Sequence, residues 1–317
     1  MKFIIVGDIH LRGNNPRSRK GDYQEDMLNK IKEVNDLAVE HKATVLQVGD
    51  LFDSPSVSYG VFGKLAAILN MHPPWFTISG NHDIFGHSLE TLARTPYQAL
   101  VSSEIIKNIE SDVFYDDNGT KIEVVGVSFD NTLDKTMYEY KPSYIYQDSI
   151  KILMVHGMLL PHTPPFERYS LISDVAKVTT ADIIISGHYH MPFIHKENNK
   201  MFINPGALCR MSASKEEMQR TPSVVLINTN HNPVMPQIIP LKCAKPSEDV
   251  LDRTIIEETN ERTEMMEKFI SSLEFTSESR FMNLSDIIES IARQDNIPEQ
   301  IINKAMEKLA QAREMRG

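Results

Sequence analysis

A chain of 317 residues in which 41% are hydrophobic and 24% charged has the balance of a folded globular protein, so general disorder is excluded. At about 150 residues per domain, the length predicts two domains. The net charge of −10 argues against nucleic-acid binding through the overall field, leaves room for a local basic channel, and suits a carboxylate-rich site built for cations.

The apolar run over residues 3–6 reaches Asp8 too soon for a signal peptide, and no stretch approaches the ~18 apolar residues of a membrane span. A cytoplasmic location without membrane association is therefore expected. The run reads as a first strand ending in Gly7-Asp8-Ile9-His10. An aspartate and a histidine two apart on extended backbone share a side, so Asp8 and His10 can reach one ion. In the polar loop 12–20, Arg12, Arg17, Arg19 and Lys20 are either a solvated basic face or contacts for substrate phosphates. Across 24–40, Met27, Leu28, Ile31, Val34 and Leu37 recur at helical spacing and mark a crossover helix.

Residues 44–48 make the next strand, ending in Gly49-Asp50-Leu51-Phe52-Asp53. A carboxylate has two oxygens, and Asp50 is assigned the role of bridging two cations, while Asp53 is read as a residue that supports the ligands or fixes the loop. A helix over 59–70 leads into Trp75-Phe76-Thr77-Ile78 and then Gly80-Asn81-His82-Asp83. Asn81 offers a neutral carbonyl oxygen, His82 is a candidate general acid or electrostatic stabiliser, and Asp83 is placed to orient His82.

Residues 112–129 alternate as a hairpin around Asp117-Asn118-Gly119, and 130–149 read as loop. Ile152-Leu153-Met154-Val155 is a buried strand ending in His156-Gly157. The run Ile183-Ile184-Ile185 is another, and the glycine of Gly187-His188-Tyr189-His190 lets the backbone turn so that two histidines emerge past the strand's carboxyl end, where open α/β sheets keep their sites. A turn at Ile203-Asn204-Pro205-Gly206 and strands near 224–227 and 236–241 complete a first domain over 1–241. Cys209 and Cys243 have no metal spacing and are expected as free or buried thiols. Residues 242–317 read as helical: a long amphipathic helix capped by Ser247 and marked by Leu251, Ile255, Met266, Phe269 and Leu273, a shorter one through Ile287, Ile288 and Ile291, and a last one with Pro298 in its first turn.

Asp8, His10, Asp50, Asn81, His156, His188 and His190 all follow predicted strands of an alternating α/β pattern. Nitrogen and oxygen donors without cysteine favour hard-to-borderline divalent cations, and a bridging carboxylate implies two of them about 3.5–4 Å apart, an arrangement used for in-line attack at phosphorus.

The ordered series Asp8-x-His10, Gly49-Asp50-x-x-Asp53, Gly80-Asn81-His82-Asp83, His156-Gly157 and Gly187-His188-x-His190 resembles the calcineurin-like metallophosphoesterases over residues 1 to about 241. The resemblance implies a four-layer αββα sandwich of α/β class, here with a helical C-terminal extension. It also implies one cation held by Asp8, His10, Asp50 and His190, a second held by Asp50, Asn81, His156 and His188, and His82 as the catalytic histidine.

Within that family, His10-Leu11 followed by Arg19 and Asp22, the run Gly49-Asp50-Leu51-Phe52-Asp53, and Asn204-Pro205-Gly206 followed by Arg210 resemble the DNA-repair nuclease branch typified by SbcD. This implies a manganese-dependent DNA exonuclease and endonuclease in double-strand-break processing or recombination, with two Mn²⁺ ions and DNA contacts at Arg12, Arg17, Arg19 and Lys20. It further implies a coiled-coil ABC-type ATPase docked on the C-terminal helices, and allows a homodimer. Asp53 stands where eukaryotic and archaeal members carry a histidine, and the chain is short for the branch, so 242–317 is expected as a reduced capping region, an ATPase-docking segment, or both. The alternatives are a phosphodiesterase with a closed pocket for a small nucleotide or a lipid-linked pyrophosphate, and a binding scaffold, which would have lost ligands that are all present in this chain.

Overall fold

Strand β1 (Lys2–Val6) is apolar after its first residue because both of its faces are covered. Phe3 and Ile5 enter one apolar cluster with Leu46, Val48, Ile152, Met154, Ile183 and Ile185, while Ile4 and Val6 enter another with Met27, Ile31 and Val34. Alternation along a strand thus assigns its residues to two separate cores. The chain is seen here as a computed structural model that describes residues 1–231, 234–254, 257, 263, 265–266, 292 and 297–314.

Two six-stranded sheets lie at the centre. The first has β1, β2 (Thr44–Gln47), β3 (Trp75–Thr77) and β4 (Ile106–Asn108) in parallel, with β13 (Ser223–Asn228) and β14 (Gln237–Pro240) antiparallel beyond β1. The second orders β11 (Phe193–Glu197), β12 (Lys200–Asn204), β10 (Ile183–Ser186), β7 (Ser149–Val155), β6 (Lys121–Val127) and β5 (Ser111–Tyr115). Strands β6, β7, β10 and β12 run parallel to one another, and β8 (Leu159–Leu160) and β9 (Ser170–Leu171) form a separate parallel pair. Helices α1 (Tyr23–His41), α2 (Tyr59–Leu69) and α3 (Pro96–Ser102) supply Met27, Leu65 and Leu100 to the core on the outer face of the first sheet. Helix α4 (Ile172–Val178) packs Ile172, Val175 and Ala176 against Leu153, Val155 and Ile184 of the second. Helix, sheet, sheet, helix is the expected four-layer αββα sandwich.

Helix α1 begins where the Asp22 side chain accepts the Glu25 N–H at 2.9 Å, has Glu25 and Asp26 in its first turn, and stops at Lys42, whose φ of 51° is left-handed. The expected turn at 203–206 is preceded by a hairpin that apolar pattern alone did not reveal: Asn198 and Asn199, at φ of 48° and 60°, join β11 to β12. Two consecutive positive-φ asparagines are the chemistry of a tight hairpin loop, and β12 then extends the parallel run beside β10.

The described chain divides into two compact units, Met1–Asp252 and Arg253–Gly317. Residues 242–252 belong to the first. Lys20 donates its N–H to Val250 at 3.0 Å, Asp252 donates to Ser18 at 2.9 Å, and Leu251 forms a bridge with Arg19. The long helix expected from Ser247 through Leu251 is therefore interrupted: only Ser247–Val250 is helical before Leu251, whose N–H still donates to Ser247, turns extended at φ −114° and ψ 144°, and the flanking Val250 carbonyl and Asp252 N–H pair with the basic loop instead of continuing a helix. In the second unit, helix Glu299–Glu314 follows Pro298, whose carbonyl accepts the Ile301 N–H at 2.9 Å. Most of the long helix expected over 251–273, and the shorter one through 287–291, fall outside the described residues. No helix among the described residues is long and apolar enough to cross a membrane.

Ile185 is fully buried between the sheets. Replacing it by alanine is expected to lower the unfolding free energy by about 2–5 kcal/mol through lost transfer energy and residual cavity. Urea unfolding followed by the single tryptophan, Trp75, reads this as a fall in midpoint at constant slope.

Candidate metal centre

The parallel strands of both sheets end on one rim, and the loops that leave them carry the side chains singled out above: Asp8 and His10 after β1, Asp50 after β2, Asn81 and His82 after β3, His156 after β7, His188 and His190 after β10. The loops are bolted together through backbone. Ile9 and His10 both donate N–H to the Asp50 carbonyl at 2.9 Å, and Leu208 donates to the Asp8 carbonyl at 2.8 Å. His10, Asp50 and His188 sit at φ of 48°, 52° and 70°, the left-handed region that non-glycine residues enter at a cost of order 1–3 kcal/mol, typically where a site demands it. Two glycines make room. A Cβ on Gly49 would stand 2.2 Å from His156 Nδ1, and one on Gly80 would stand 2.1 Å from Asp50 Oδ1.

Asp50 lies at the middle of the result. Its Oδ2 is 3.6 Å from His10 Nε2 and 3.3 Å from His156 Nε2, so one carboxylate reaches both halves of the cluster. On one side, His10 Nε2 and His190 Nε2 are 3.2 Å apart, and His190 Nε2 is 3.3 Å from Asp8 Oδ2. On the other, His156 Nε2 is 3.1 Å from Asn81 Oδ1, and the donor atoms of Asp50, His156 and His188 lie within 4.8 Å of one another. His156 Nδ1 points the other way, to the Val48 carbonyl at 2.7 Å, which fixes the tautomer that leaves Nε2 free to ligate. Asp8 accepts the His188 N–H at 3.1 Å, tying the two sides together.

The electrostatics are set by burial and by the close approach of carboxylates and imidazoles. Burial alone would raise the Asp50 carboxyl, but His156 and His10 beside it hold it well below the usual carboxylate range. Burial would lower His156, yet the Asp50 charge pushes it up to about 10. His188 is pushed down to about 4 by burial and by neighbouring His156. Nitrogen and oxygen donors of this kind, dehydrated and convergent, fit a pair of divalent ions.

His82 is the mobile-proton candidate. Its Nδ1 is 2.8 Å from the Asp53 carbonyl oxygen, its backbone N–H donates to Asp50 Oδ1 at 2.8 Å, and its side chain is 42% exposed. The residue that orients the ring is therefore Asp53. The Asp83 carboxylate, expected to do so, instead accepts the N–H groups of Gly80, Leu51 and Phe52 at 2.9, 3.2 and 3.0 Å and stitches the second loop to the third. Burial and the charge of Asp50 push Asp83 up to about 7, against those three bonds. Asp53 also carries Arg12, paired at 2.8 Å, and approaches His10 Nδ1 at 3.4 Å.

The basic loop splits in two. Arg17 and Lys20 are exposed, whereas Arg19, expected as a phosphate contact, is buried, paired with Asp26 at 2.9 Å and laid over the Tyr23 ring. Its charge serves the fold of the loop against α1. Three residues at the site escaped the sequence reading. Phe129 stands 6.0 Å from the His188 ring and 6.3 Å from that of His156, Tyr23 donates its hydroxyl to the His10 carbonyl at 3.0 Å, and the Cys209 thiol groups with His10 and His190. Cys209 follows Asn204-Pro205-Gly206, and that turn was the available signal.

A family model described as calcineurin-like phosphoesterase matches residues 1–192. The chain belongs to this family. Its members are hydrolases of phosphoesters with a dinuclear divalent metal centre, and the donor set above fits that centre. Among solved structures, the chain is similar to an archaeal phosphodiesterase at 17% identity, covering 75% of this chain and 100% of that one at a TM-score of 0.39. It is similar to a proposed 5′-nucleotidase from Staphylococcus aureus, solved with α-ketoglutarate, at 15% identity, 75% and 52% coverage and a TM-score of 0.49, so it spans about half the length of that protein. It is also similar to GAP50, the anchor in the inner membrane complex of Plasmodium, at 13% identity, 77% and 86% coverage and a TM-score of 0.45. No curated protein matches.

Because His156 holds a proton at neutral pH and a ligand must be free of it, cation loading is expected to release protons and to tighten as pH rises from neutral toward about 10. Titration calorimetry in buffers of different ionisation enthalpy measures the release. A buffer-independent enthalpy would show that the imidazole is already neutral.

Proposed function

We propose that this phosphoesterase is a DNA nuclease, cutting phosphodiester bonds as exonuclease and endonuclease with two Mn²⁺ ions. Its partner would be a coiled-coil ABC-type ATPase engaged through the C-terminal region, 242–317, and its role the processing of broken or recombining DNA in the cytoplasm. The observation that carries the hydrolytic part is Asp50, one buried carboxylate within reach of both His10 and His156. The nuclease part is supported by the ordered resemblance of His10-Leu11 to Arg19 and Asp22, and of Asn204-Pro205-Gly206 to Arg210, together with an open mouth where the His82 and His190 side chains are 42% and 36% exposed.

Asp8, His10, Asp50 and His190 would hold one ion and Asp50, Asn81, His156 and His188 the other. When bound, the ions supply charge neutralisation at the non-bridging phosphate oxygens. The chain's own residues do the rest. With Nδ1–H donated to the Asp53 carbonyl, the part-exposed His82 ring keeps Nε2 for the substrate, and in its doubly protonated form would give the Nε2 proton to the leaving oxygen. Asp53 keeps that ring in register with His10, and Arg12, held by Asp53, brings a guanidinium to the mouth. Arg17 and Lys20 would track the DNA backbone.

A second reading is favoured by one observation. With Arg19 buried, the exposed positive charge of the loop is reduced to Arg17 and Lys20, with Arg12 committed to Asp53, which suits a small nucleotide or lipid-linked pyrophosphate as well as a polymer. Labelled linear duplex, single-stranded and hairpin DNA, incubated with manganese, magnesium or chelator, separates the two. Manganese-dependent cutting supports the nuclease. Its absence, even with a candidate ATPase added, transfers the assignment to the small substrate.

His82→Ala is expected to retain both ions by elemental analysis while DNA cleavage falls by about 10²–10⁴-fold, the range for a lost general acid. Ion loss in that variant would make His82 structural. The double reversal Arg17→Glu, Lys20→Glu is expected to weaken DNA binding and to reduce the slope of log affinity against log salt by about 2, roughly 0.9 per lost phosphate contact, with hydrolysis of bis-p-nitrophenyl phosphate unchanged. An unaltered salt slope would remove the loop from the DNA path.

A further inference from the structure

Phe129 is a large apolar side chain placed at the centre rather than in a core. It follows β6, is half-buried, and joins none of the apolar clusters among the described residues. Backbone holds it at the rim instead. Its N–H donates to the Ser79 carbonyl at 2.9 Å and the Ser79 N–H donates to the Ser128 hydroxyl at 3.1 Å, which ties the segment to the loop carrying Asn81 and His82. Its ring neighbours are imidazoles: 6.0 Å from His188, 6.3 Å from His156 and 5.6 Å from His87, which it meets edge-on at 78°.

His87 makes a second wall. It is exposed, and with Gly86 before it stands at φ of 56° and 57°, left-handed backbone that a histidine enters at a cost. Its loop closes on itself where the Thr91 hydroxyl accepts the Phe85 N–H at 2.8 Å and donates to the Ser88 carbonyl at 2.7 Å. Asn131 Nδ2 then donates to the His87 carbonyl at 2.8 Å, which fastens that loop to the Phe129 segment. Two planar rings, nearly perpendicular and held by separate loops, form a part-exposed corner beside the half of the centre assigned to the second cation.

The plain alternative is that Phe129 props the ligand imidazoles. His156 is already fixed by the Val48 carbonyl, and a prop accounts neither for the lack of an apolar cluster behind the ring nor for the exposed His87 beside it. Flat apolar faces next to a phosphate site suit a nucleobase, because every base offers a π-face whatever its hydrogen-bonding edge. Position decides which base. His82, the donor to the leaving oxygen, stands 4.6 Å from the His10 ring, on the other half of the centre, so the corner lies away from the leaving group.

We propose that Phe129 and His87 form a stacking platform for the base of the nucleoside that keeps the phosphate, sensing that a base is there without reading its identity. This rests on the phosphodiesterase reading of the centre, and holds for DNA and for a small nucleotide alike.

The test uses the manganese-loaded full chain and two p-nitrophenyl phosphodiesters, one joined to thymidine through its 5′ oxygen and one to methanol, which carries no base. The ratio of their kcat/KM values does not depend on how much of a variant folds. In Phe129→Ala this ratio is expected to fall by about 5- to 150-fold, the loss of one base–aromatic stack, mostly through KM for the thymidine ester, and to recover in Phe129→Tyr, which keeps the ring. A ratio that moves by less than about twofold in Phe129→Ala, or that falls equally in Phe129→Tyr, overturns the platform. Calorimetry with thymidine 5′-monophosphate and deoxyribose 5-phosphate reads the stack without turnover: the base is expected to tighten binding by a similar factor in the unaltered chain and by less than about twofold in Phe129→Ala. If neither ester is cut, the phosphodiesterase reading fails, and the calorimetric comparison still decides the platform, which equal affinities for the two monoesters overturn.

Discussion

A carboxylate with 1% of its surface exposed would ordinarily be neutral, and the architecture of this protein follows from keeping Asp50 charged. Burial works against that charge, and only close imidazoles and the His82 N–H, at 2.8 Å, offset it. His10 comes from the first sheet's rim and His156 from the second's. The pairing of Asp50 with His156 therefore requires the two sheets to be stacked in register.

The sandwich meets that demand through backbone rather than side-chain length. Left-handed conformations at His10, Asp50 and His188 swing the donors inward immediately after their strands, and Gly49 and Gly80 let neighbouring loops approach to distances no Cβ would tolerate. Supporting groups are mostly backbone too. The Val48 carbonyl holds His156, the Asp53 carbonyl holds His82, and the Asp83 carboxylate gathers N–H groups from two loops. Such a site is stiff, which suits donors that must share an ion, while His82 at its edge is exposed enough to meet a substrate.

Around this centre the charges sort by role. Arg19 and Lys30 share Asp26 in the interior and serve packing, whereas Arg12 is drawn to the rim by Asp53 and Arg17 and Lys20 stay in solvent. A run of basic residues in sequence is thus several different things in space, because the loop folds back onto α1 and pairs with the strand-like stretch at Leu251.

The α/β class and the positions of the candidate ligands were legible in the chain because both rest on local pattern, whereas the four-layer αββα sandwich was implied by the family resemblance. Buried strands are continuous apolar runs, and each is followed at once by Asp, Asn or His at the point where a strand ends. The crossover helix over 24–40 was readable from its spacing, and appears as Tyr23–His41. What the sequence could not decide was anything set by groups far apart along it. That Asp53 and not Asp83 orients His82, that Arg19 is interior while Arg17 is not, and that Cys209 lies near His10 across some two hundred residues of chain all depend on which loops the stacked sheets bring face to face. Local pattern is encoded by neighbours in the chain, whereas the partners of a side chain are chosen by packing.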